Sequence, residues 1–251
     1  MSINADRVLA VRTGKTIYRD GDTVLKVFEA DYSKSGILNE ALNQTRVEEI
    51  GIRCPRVLEV LKIDGKWAIR LEYIKGITLQ QQMNDDPGRF DDFLNTFIDI
   101  QMEVFSHHSS QLNVLYTKLD RKINEAPLDA TTRYDLHTRL SSMPRSTAVC
   151  HGDFVPSNIV VQEDGTPYLL DWAHVTQGSP AADAALTYMR FWLAGNIDGA
   201  EKYLLAFCTR SRIAKSAVQR WMPLVAAAQL TKCRPEEREF LNQWVNVVEY
   251  D

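Results

Sequence analysis

The sequence has few cysteines, and their spacing is typical neither of a metal site nor of a disulfide framework. The four are widely separated and form no CxxC pair or Cys/His cluster. Zinc sites and small disulfide-rich domains need closer spacing. We therefore predict four free thiols packed in the interior: Cys54, Cys150, Cys208 and Cys233.

Long apolar runs and an excess of positive charge are also absent. No apolar run approaches the roughly 20 residues that a membrane-spanning helix needs. The opening MSINADRVLA lacks the basic start and apolar core of a signal peptide. The formal net charge is −4, whereas nucleic-acid binding requires concentrated Lys and Arg. These absences predict a cytoplasmic protein that binds neither membranes nor nucleic acids.

The length and composition of the chain are those of a globular protein. Its 251 residues, 45% of them hydrophobic and 25% charged, suffice for one large domain or for two lobes with a buried core. No Walker A motif occurs in the sequence. Any nucleotide site must therefore be built in another way.

The most informative stretch is HGDFVPSNIVVQEDGTPYLLDWAH, residues 151–174. Ile159–Val161 and Tyr168–Leu170 are two apolar runs closed by an Asp-Gly turn, which predicts a β-hairpin. Asn158 and Asp171 then lie side by side at its open end, where hard oxygen ligands favour Mg²⁺. Asp153 lies one loop earlier. The order of carboxylate, amide and carboxylate matches the base and metal ligands of phosphoryl transfer.

A purely structural explanation of the same residues is open as well. Asp153 and Asn158 could be turn residues, Asp171 could cap a strand end, and His151 could be a core histidine bonded to backbone carbonyls. Each of these is common for a single residue. The combination at this spacing favours the chemical interpretation.

HGDFVPSN followed by LLDW resembles the aminoglycoside phosphotransferase and choline kinase group of small-molecule kinases. Gly152, where protein kinases usually carry Arg, and the Asp-Trp ending of the second motif are similar to that group. The resemblance implies an α+β, bilobal protein-kinase-like fold. We expect a small five-stranded antiparallel N-terminal lobe with one helix and a larger, mainly helical C-terminal lobe.

The resemblance also implies a role for each motif residue. Asp153 would orient and deprotonate the acceptor hydroxyl, and Asn158 and Asp171 would hold Mg²⁺ on the nucleotide phosphates. Asp183 would brace the catalytic loop through hydrogen bonds to its backbone. We assign His151 to the scaffold of that loop.

The first 70 or so residues match the layout of a kinase N-terminal lobe. Five short strand-like runs are separated by turn signals, with a helix-like stretch at residues 34–50 after the third run. In that layout Lys26, within VLKVF, faces the phosphates, and Glu40 on the helix holds it. A lysine in a strand and a glutamate on a helix are also commonplace solvated residues.

The stretch RLEYIKG reads as the connection between lobes, where the resemblance places adenine against the backbone of Glu72 and Ile74. We predict an N-terminal lobe over residues 1–73 and a hinge over 74–76. The C-terminal lobe would cover 77–251, with the catalytic loop at 151–158 and the metal motif at 169–172. The turn at Gly14 has a single glycine, so the usual glycine-rich phosphate loop is missing.

The sequence therefore predicts a phosphotransferase that uses ATP (or GTP) and Mg²⁺ to phosphorylate a hydroxyl of a small molecule. The short segment between Asp171 and Asp183 favours a small acceptor over a protein. An acidic stretch around residues 85–92 makes a cationic acceptor one option. The alternatives are an inactive kinase-like nucleotide-binding module and a protein kinase. Oligomeric state is left open.

Overall fold

A computed structural model describes residues 7–246 of the chain. Within this range the strands are β1 Arg7–Arg12, β2 Lys15–Asp20, β3 Thr23–Phe28, β4 Val57–Ile63, β5 Lys66–Glu72, β6 Ile77–Thr78, β7 Ala148–Cys150, β8 Ile159–Val161, β9 Pro167–Leu169 and β10 Thr176–Gly178. The α-helices are α1 Lys34–Ile50, α2 Leu79–Asp85, α3 Phe90–Phe105, α4 Leu115–Glu125, α5 Ala130–Ser142, α6 Pro180–Leu193, α7 Ile197–Ser211, α8 Lys215–Gln219, α9 Met222–Leu230 and α10 Arg238–Val245.

The chain forms two compact units. The first contains the described residues through Asp85 together with Pro156–His174, and the second contains Asp86–Val155 and the described residues from Val175 onward. The first unit thus continues past the predicted hinge at 74–76. Gly76 explains part of this, because a Cβ there would lie 2.3 Å from the carbonyl oxygen of Val161. The segment after β5 therefore packs directly on the hairpin of β8 and β9.

A five-stranded antiparallel sheet in the order β1-β2-β3-β5-β4 forms most of the first unit. Helix α1 follows β3 and packs against β4 and β5. The hydroxyl of Ser33 caps its start by accepting the Gly36 N–H, and Gly51, with φ of 92°, ends it in a left-handed conformation. This α+β arrangement confirms the predicted fold class.

Each face of the sheet carries its own hydrophobic cluster, because successive side chains of a strand point to opposite faces. The cluster that includes α1 contains Phe28, Ile37, Ala41, Ile69 and Leu71. The opposite cluster contains Leu25, Val27, Ile63 and Ala68. Lys26 alternates with Leu25 and Val27 and therefore lies on the α1 face. A three-stranded sheet in the order β6-β8-β9 completes this unit.

The second unit is mainly helical. Its core includes an aromatic group centred on Phe97 of α3, whose ring centroid lies 4.5 Å from that of Phe154 in the HGDF loop, 6.0 Å from that of Phe191 on α6 and 5.9 Å from that of Tyr203 on α7. Strands β7 and β10 pair antiparallel beside these helices. No helix in the described part of the chain is both long and apolar enough to span a membrane.

The cysteine prediction is correct for two positions and wrong for two. All four thiols are free, but only Cys54 and Cys150 are buried, whereas Cys208 and Cys233 are partly exposed. Burial raises the pKa of the Cys54 thiol to about 12. Burial also raises the pKa of Cys150 well above its ordinary value. A thiol that stays protonated is a poor nucleophile, so Cys150 acts as a packing residue.

Candidate active site

The hairpin places the two candidate metal ligands next to each other in the chain fold. Ile159 pairs with Leu169 across β8 and β9, and the Leu170 N–H donates to the Asn158 carbonyl at 2.8 Å. Asn158 therefore lies opposite the residue that precedes Asp171. The indole N–H of the fully buried Trp172 donates to the Leu169 carbonyl at 3.1 Å. These two hydrogen bonds fix the backbone at the end of β9.

Asp171 and Glu40 come from distant parts of the first unit and both contact Lys26. The Lys26 Nζ lies 2.9 Å from Glu40 Oε1 and 3.0 Å from Asp171 Oδ1. The amide of Asn43, one turn after Glu40 on α1, donates to the Ala173 carbonyl at 3.3 Å. Helix α1 is therefore tied to the segment after β9, and this contact brings Glu40 and Asp171 to the same lysine.

Burial sets the energetics of this cluster. Lys26 and Glu40 expose only 6% and 4% of their surface. Burial alone would lower the pKa of Lys26, but the charges of Asp171 and Glu40 outweigh it and hold that pKa above its ordinary value. Lys26 therefore carries a full positive charge at neutral pH. Removing one partner of such a pair leaves a buried charge that is poorly compensated.

Asp171 has an unusual backbone conformation, with φ of 63°. The left-handed region is costly for residues with a side chain, although Asp and Asn tolerate it better than most. Such conformations concentrate at functional sites.

Lys15 joins the same cluster and was not foreseen from the sequence. Its Nζ lies 3.3 Å from Glu40 Oε1 and 3.4 Å from Asp171 Oδ1. Its side chain is only 12% exposed. Lys15 is the first residue of β2 and directly follows the turn at Gly14. A lysine directly after the only glycine of the β1–β2 turn is the signal that could have identified it.

The two residues proposed to contact adenine lie at the end of β5 and just beyond it. The Glu72 N–H donates to the Arg56 carbonyl at 3.0 Å, and the Glu72 carboxylate binds the Arg56 guanidinium at 3.1 Å. Ile74 is 8% exposed. The Glu72 N–H is thus already bonded within the first unit.

In the second unit, three residues on one face of α6 contact successive residues of the HGDF segment. The Asp183 carboxylate accepts the Gly152 N–H at 2.8 Å and the His151 N–H at 3.3 Å. One turn later, the Thr187 hydroxyl donates to the Phe154 carbonyl at 3.0 Å. The Arg190 Nε lies 2.9 Å from Asp153 Oδ1. Residues at these spacings share one helix face, so a single rigid element positions the whole segment.

The support residues of this segment are buried. His151 has no exposed surface, and its Nδ1 accepts the Asp153 N–H at 3.2 Å. Asp183 is 4% exposed. Burial raises the pKa of Asp183, while His151 and the two backbone N–H groups act in the opposite direction. His151 and Asp183 therefore both bond to the backbone of the loop that they are predicted to support.

Arg190 is the second residue that sequence reasoning missed. It is a single cation in the otherwise apolar stretch LTYMRFWL of α6. Its side chain is 25% exposed and that of Asp153 is 26% exposed. A lone arginine in a helix that is buried on nearly all sides is a sign of a charged partner.

The predicted site residues thus fall into two groups. The first unit brings together Lys26, Glu40 and Asp171 and also contains Asn158, Glu72 and Ile74. The second unit brings together His151, Asp153 and Asp183. Among residues 7–246, no group of three or more His, Cys, Asp or Glu side chains is arranged to hold a metal on its own.

The sequence of residues 5–221 matches the family model described as APH, phosphotransferase enzyme family. This match covers most of the chain. The chain belongs to the APH phosphotransferase enzyme family. The family assignment confirms the resemblance drawn from HGDFVPSN and LLDW. No curated protein sequence matches the chain significantly.

Solved structures of APH-type enzymes share the fold. A thermostable mutant of aminoglycoside phosphotransferase APH(4)-Ia, in ternary complex with ADP and hygromycin B, superposes with a TM-score of 0.68 and 14% identity over 95% of this chain and 89% of that one. Choline kinase LicA from Streptococcus pneumoniae superposes with a TM-score of 0.62 and 14% identity, over 97% of this chain and 92% of that one. Aminoglycoside phosphotransferase APH(3'')-Id from Streptomyces rimosus, in complex with ADP and streptomycin, superposes with a TM-score of 0.62 and 15% identity, over 89% of this chain and 92% of that one.

Proposed function

We propose that this APH-family chain transfers the terminal phosphate of ATP (or GTP) to a hydroxyl group of a small molecule. The observation that carries the proposal is the meeting of Lys26, Glu40 and Asp171 within hydrogen-bonding distance. These residues come from a strand, a helix and a hairpin end that are far apart in the sequence. In kinases a strand lysine paired with a helix glutamate orients the phosphates, and a further carboxylate holds Mg²⁺.

On the nucleotide side, Lys26 would bind the phosphates, and Glu40 would keep its ammonium group in place. The Glu72 carbonyl and the Ile74 backbone would meet the edge of the base. Backbone recognition of this kind depends little on side-chain identity. It is therefore compatible with Ile74, whose apolar side chain is buried. The ADP complexes of two structural neighbours support a nucleotide as the ligand.

The residues at the hairpin end fit a magnesium ion. Mg²⁺ usually takes only one or two protein carboxylates and completes its shell with water and substrate phosphates. Asn158 and Asp171 supply one amide and one carboxylate, which are hard oxygen donors. The Asp171 carboxylate is 28% exposed and is accompanied by two ammonium groups, so it already attracts cations. Bound there, Mg²⁺ would neutralise charge on the phosphates.

On the acceptor side, Asp153 would accept the proton of the attacking hydroxyl. The acceptor oxygen forms a bond to the terminal phosphorus, the bond from that phosphorus to the bridging oxygen breaks, and the nucleoside diphosphate leaves. The α6 face would hold Asp153 for this step, with Asp183 bracing the loop backbone and His151 filling its interior. Positioning and charge placement are the main contributions of a protein to this reaction.

Arg190 bears on the charge of the acceptor. Its guanidinium lies beside Asp153 and balances the charge of that carboxylate, so the pair offers a cationic acceptor no net attraction. We therefore propose an acceptor without a positive charge, in contrast to the cationic option suggested by the acidic stretch. Within that stretch, Asp91 pairs with Lys202 and Asp92 pairs with Arg89, so these acids already have cationic partners.

The test is an acceptor panel in the presence of Mg²⁺ and ATP or GTP. Nucleoside diphosphate release would be followed with anionic, neutral and cationic alcohols, including hygromycin B and streptomycin. Turnover that depends on one class of acceptor and disappears in Asp153→Asn supports the proposal. Nucleotide binding without turnover would favour the inactive kinase-like module, and labelling of added proteins would favour a protein kinase.

A further inference from the structure

Two lysines, and not one, accompany the pair of carboxylates in the first unit. Lys26 makes the shorter contacts, at 2.9 Å to Glu40 and 3.0 Å to Asp171. Lys15 reaches the same oxygen atoms at 3.3 and 3.4 Å. Lys26 therefore already provides each carboxylate with a close cation, and Lys15 is the more weakly held of the two.

The position of Lys15 in the fold is as informative as its contacts. It starts β2, directly after the turn at Gly14, whose φ is 75°. A Cβ at position 14 would lie 3.0 Å from the ring of Tyr32, so the turn is packed closely against the chain that follows β3. This turn has one glycine, and few backbone N–H groups can approach a phosphate there. A side-chain donor at its end compensates for that shortage.

The charge balance of the cluster supports the same role for Lys15. Two carboxylates and two ammonium groups sum to zero in the structure. A nucleoside triphosphate adds about four negative charges, of which Mg²⁺ balances only a part. With Mg²⁺ held by Asp171, the cation that this carboxylate holds most loosely would become available for another anion. Lys15 is that cation, and its side chain lies close to Lys26.

We propose that Lys15 binds the β- and γ-phosphates of the nucleotide as a second cation beside Lys26. This inference rests on the proposed function, because it assigns a further residue to the same nucleotide site. Lys15 acts on the phosphates and not on the base or the ribose. Its contribution therefore depends on how many phosphates the ligand carries.

That dependence tests for an effect on the phosphates, and the charge of the side chain separates phosphate binding from a purely structural role. If Lys15 only held Glu40 and Asp171 in place, Lys15→Gln, which can still bond to both carboxylates, would keep the ATP affinity of the wild type. If it binds phosphates, its loss affects ATP strongly, ADP less, and AMP or adenosine hardly at all. Charge-assisted hydrogen bonds of this kind contribute about 1.5–3 kcal/mol, which corresponds to roughly 10- to 100-fold in affinity.

The experiment measures dissociation constants of the full chain for ATP, ADP, AMP and adenosine by calorimetry with Mg²⁺ present. The variants are Lys15→Met and Lys15→Gln; the glutamine can still donate hydrogen bonds to the two carboxylates, so it preserves the fold if the methionine does not. Lys15→Arg tests whether charge is sufficient. Lys62→Met is the matched control, because Lys62 is an exposed lysine of the same sheet and its loss changes the net charge equally.

The expected result is a loss of about 10- to 100-fold in ATP affinity for Lys15→Met and Lys15→Gln, with adenosine and AMP changed less than about threefold. Lys15→Arg should retain most of the affinity, and Lys62→Met should match the wild type. Equal weakening of all four ligands, unchanged ATP affinity, or ATP affinity that Lys15→Gln retains would overturn the role of Lys15 alone. A wild-type chain that binds none of the four would overturn the proposed function together with this inference.

Discussion

The hydrogen bonds of Asp183 allow a quantitative prediction for the Asp183→Asn variant. The carboxylate accepts two backbone N–H groups, from Gly152 at 2.8 Å and from His151 at 3.3 Å, in a site that is 4% exposed. An asparagine has one carbonyl oxygen, so one of these N–H groups would face an amide NH₂. A buried donor without an acceptor costs about 1–3 kcal/mol.

Part of that cost is offset, because the amide avoids the burial of a charge. The raised pKa of Asp183 shows that its ionised form is disfavoured by burial. We therefore expect a net destabilisation of about 1–2 kcal/mol at neutral pH. For a chain of this size, about 2–4 °C of melting temperature accompanies each kcal/mol. The expected decrease in Tm is then roughly 2–8 °C.

Thermal unfolding followed by circular dichroism measures this decrease. Asp198→Asn is the matched control, because Asp198 also lies in the first turn of a helix but is 82% exposed. It removes the same interaction with the helix dipole, and it should change stability by less than about 0.5 kcal/mol. An Asp183→Asn protein that melts within 1 °C of the wild type would refute this account of the brace.

The pH dependence of the same comparison follows from the sign of the shift. A carboxyl whose pKa is raised by folding stabilises the folded state most when it is protonated. Its contribution declines as the pH rises from the ordinary Asp pKa of about 4 through the folded value. The stability gap between wild type and Asp183→Asn is therefore expected to be larger in acid than at neutral pH.

Three further predictions concern residues of both units. Asp153→Asn should bind nucleotide normally but lose about 10²- to 10⁴-fold in turnover, the usual contribution of a positioned base, as steady-state kinetics would show. Asp171→Ala should lose Mg²⁺-dependent nucleotide affinity in metal titrations. Asp171→Gly should lose the same affinity but melt higher than Asp171→Ala by the equivalent of about 1 kcal/mol, because glycine adopts a positive φ without penalty. Burial and the charge of Lys232 lower the pKa of Lys118 to about 8. Lys118→Met should therefore stabilise the chain by about 1–2 kcal/mol at pH 7, and this gain should vanish as the pH rises from about 8 to 10.4.

The elements that the sequence predicted well are those with a local signal. The hairpin of residues 159–169 was predicted because two apolar runs flank an Asp-Gly turn, and its structure differs by only one residue at each end of β9. The five strands along the first part of the chain and the helix after the third followed from short strand-like runs and the turn residues between them. Lys26 and Glu40 were proposed as partners because the family resemblance supplied a layout, and nothing in their own spacing required the contact.

The residues that were missed depend on contacts between distant segments. Lys15 lies 25 residues from Glu40 and 156 residues from Asp171. No local pattern links a lysine at the start of a strand to a carboxylate so far along the chain. Arg190 presents the same difficulty, because its partner Asp153 lies in a loop before the hairpin. A charged residue in an apolar segment indicates that a partner exists, but only the fold shows which one.

Two features of Asp171 indicate that its carboxylate is the reason for its presence. The backbone there adopts a φ of 63°, which by itself favours glycine or asparagine. Its carboxylate also balances the ammonium groups of Lys15 and the buried Lys26, and a neutral residue would leave both to Glu40 alone. The aspartate supplies what neither glycine nor asparagine can, a full negative charge at the hairpin end beside Asn158. Metal titrations of Asp171→Asn, which keeps the shape and tolerates the backbone but lacks the charge, would isolate that contribution.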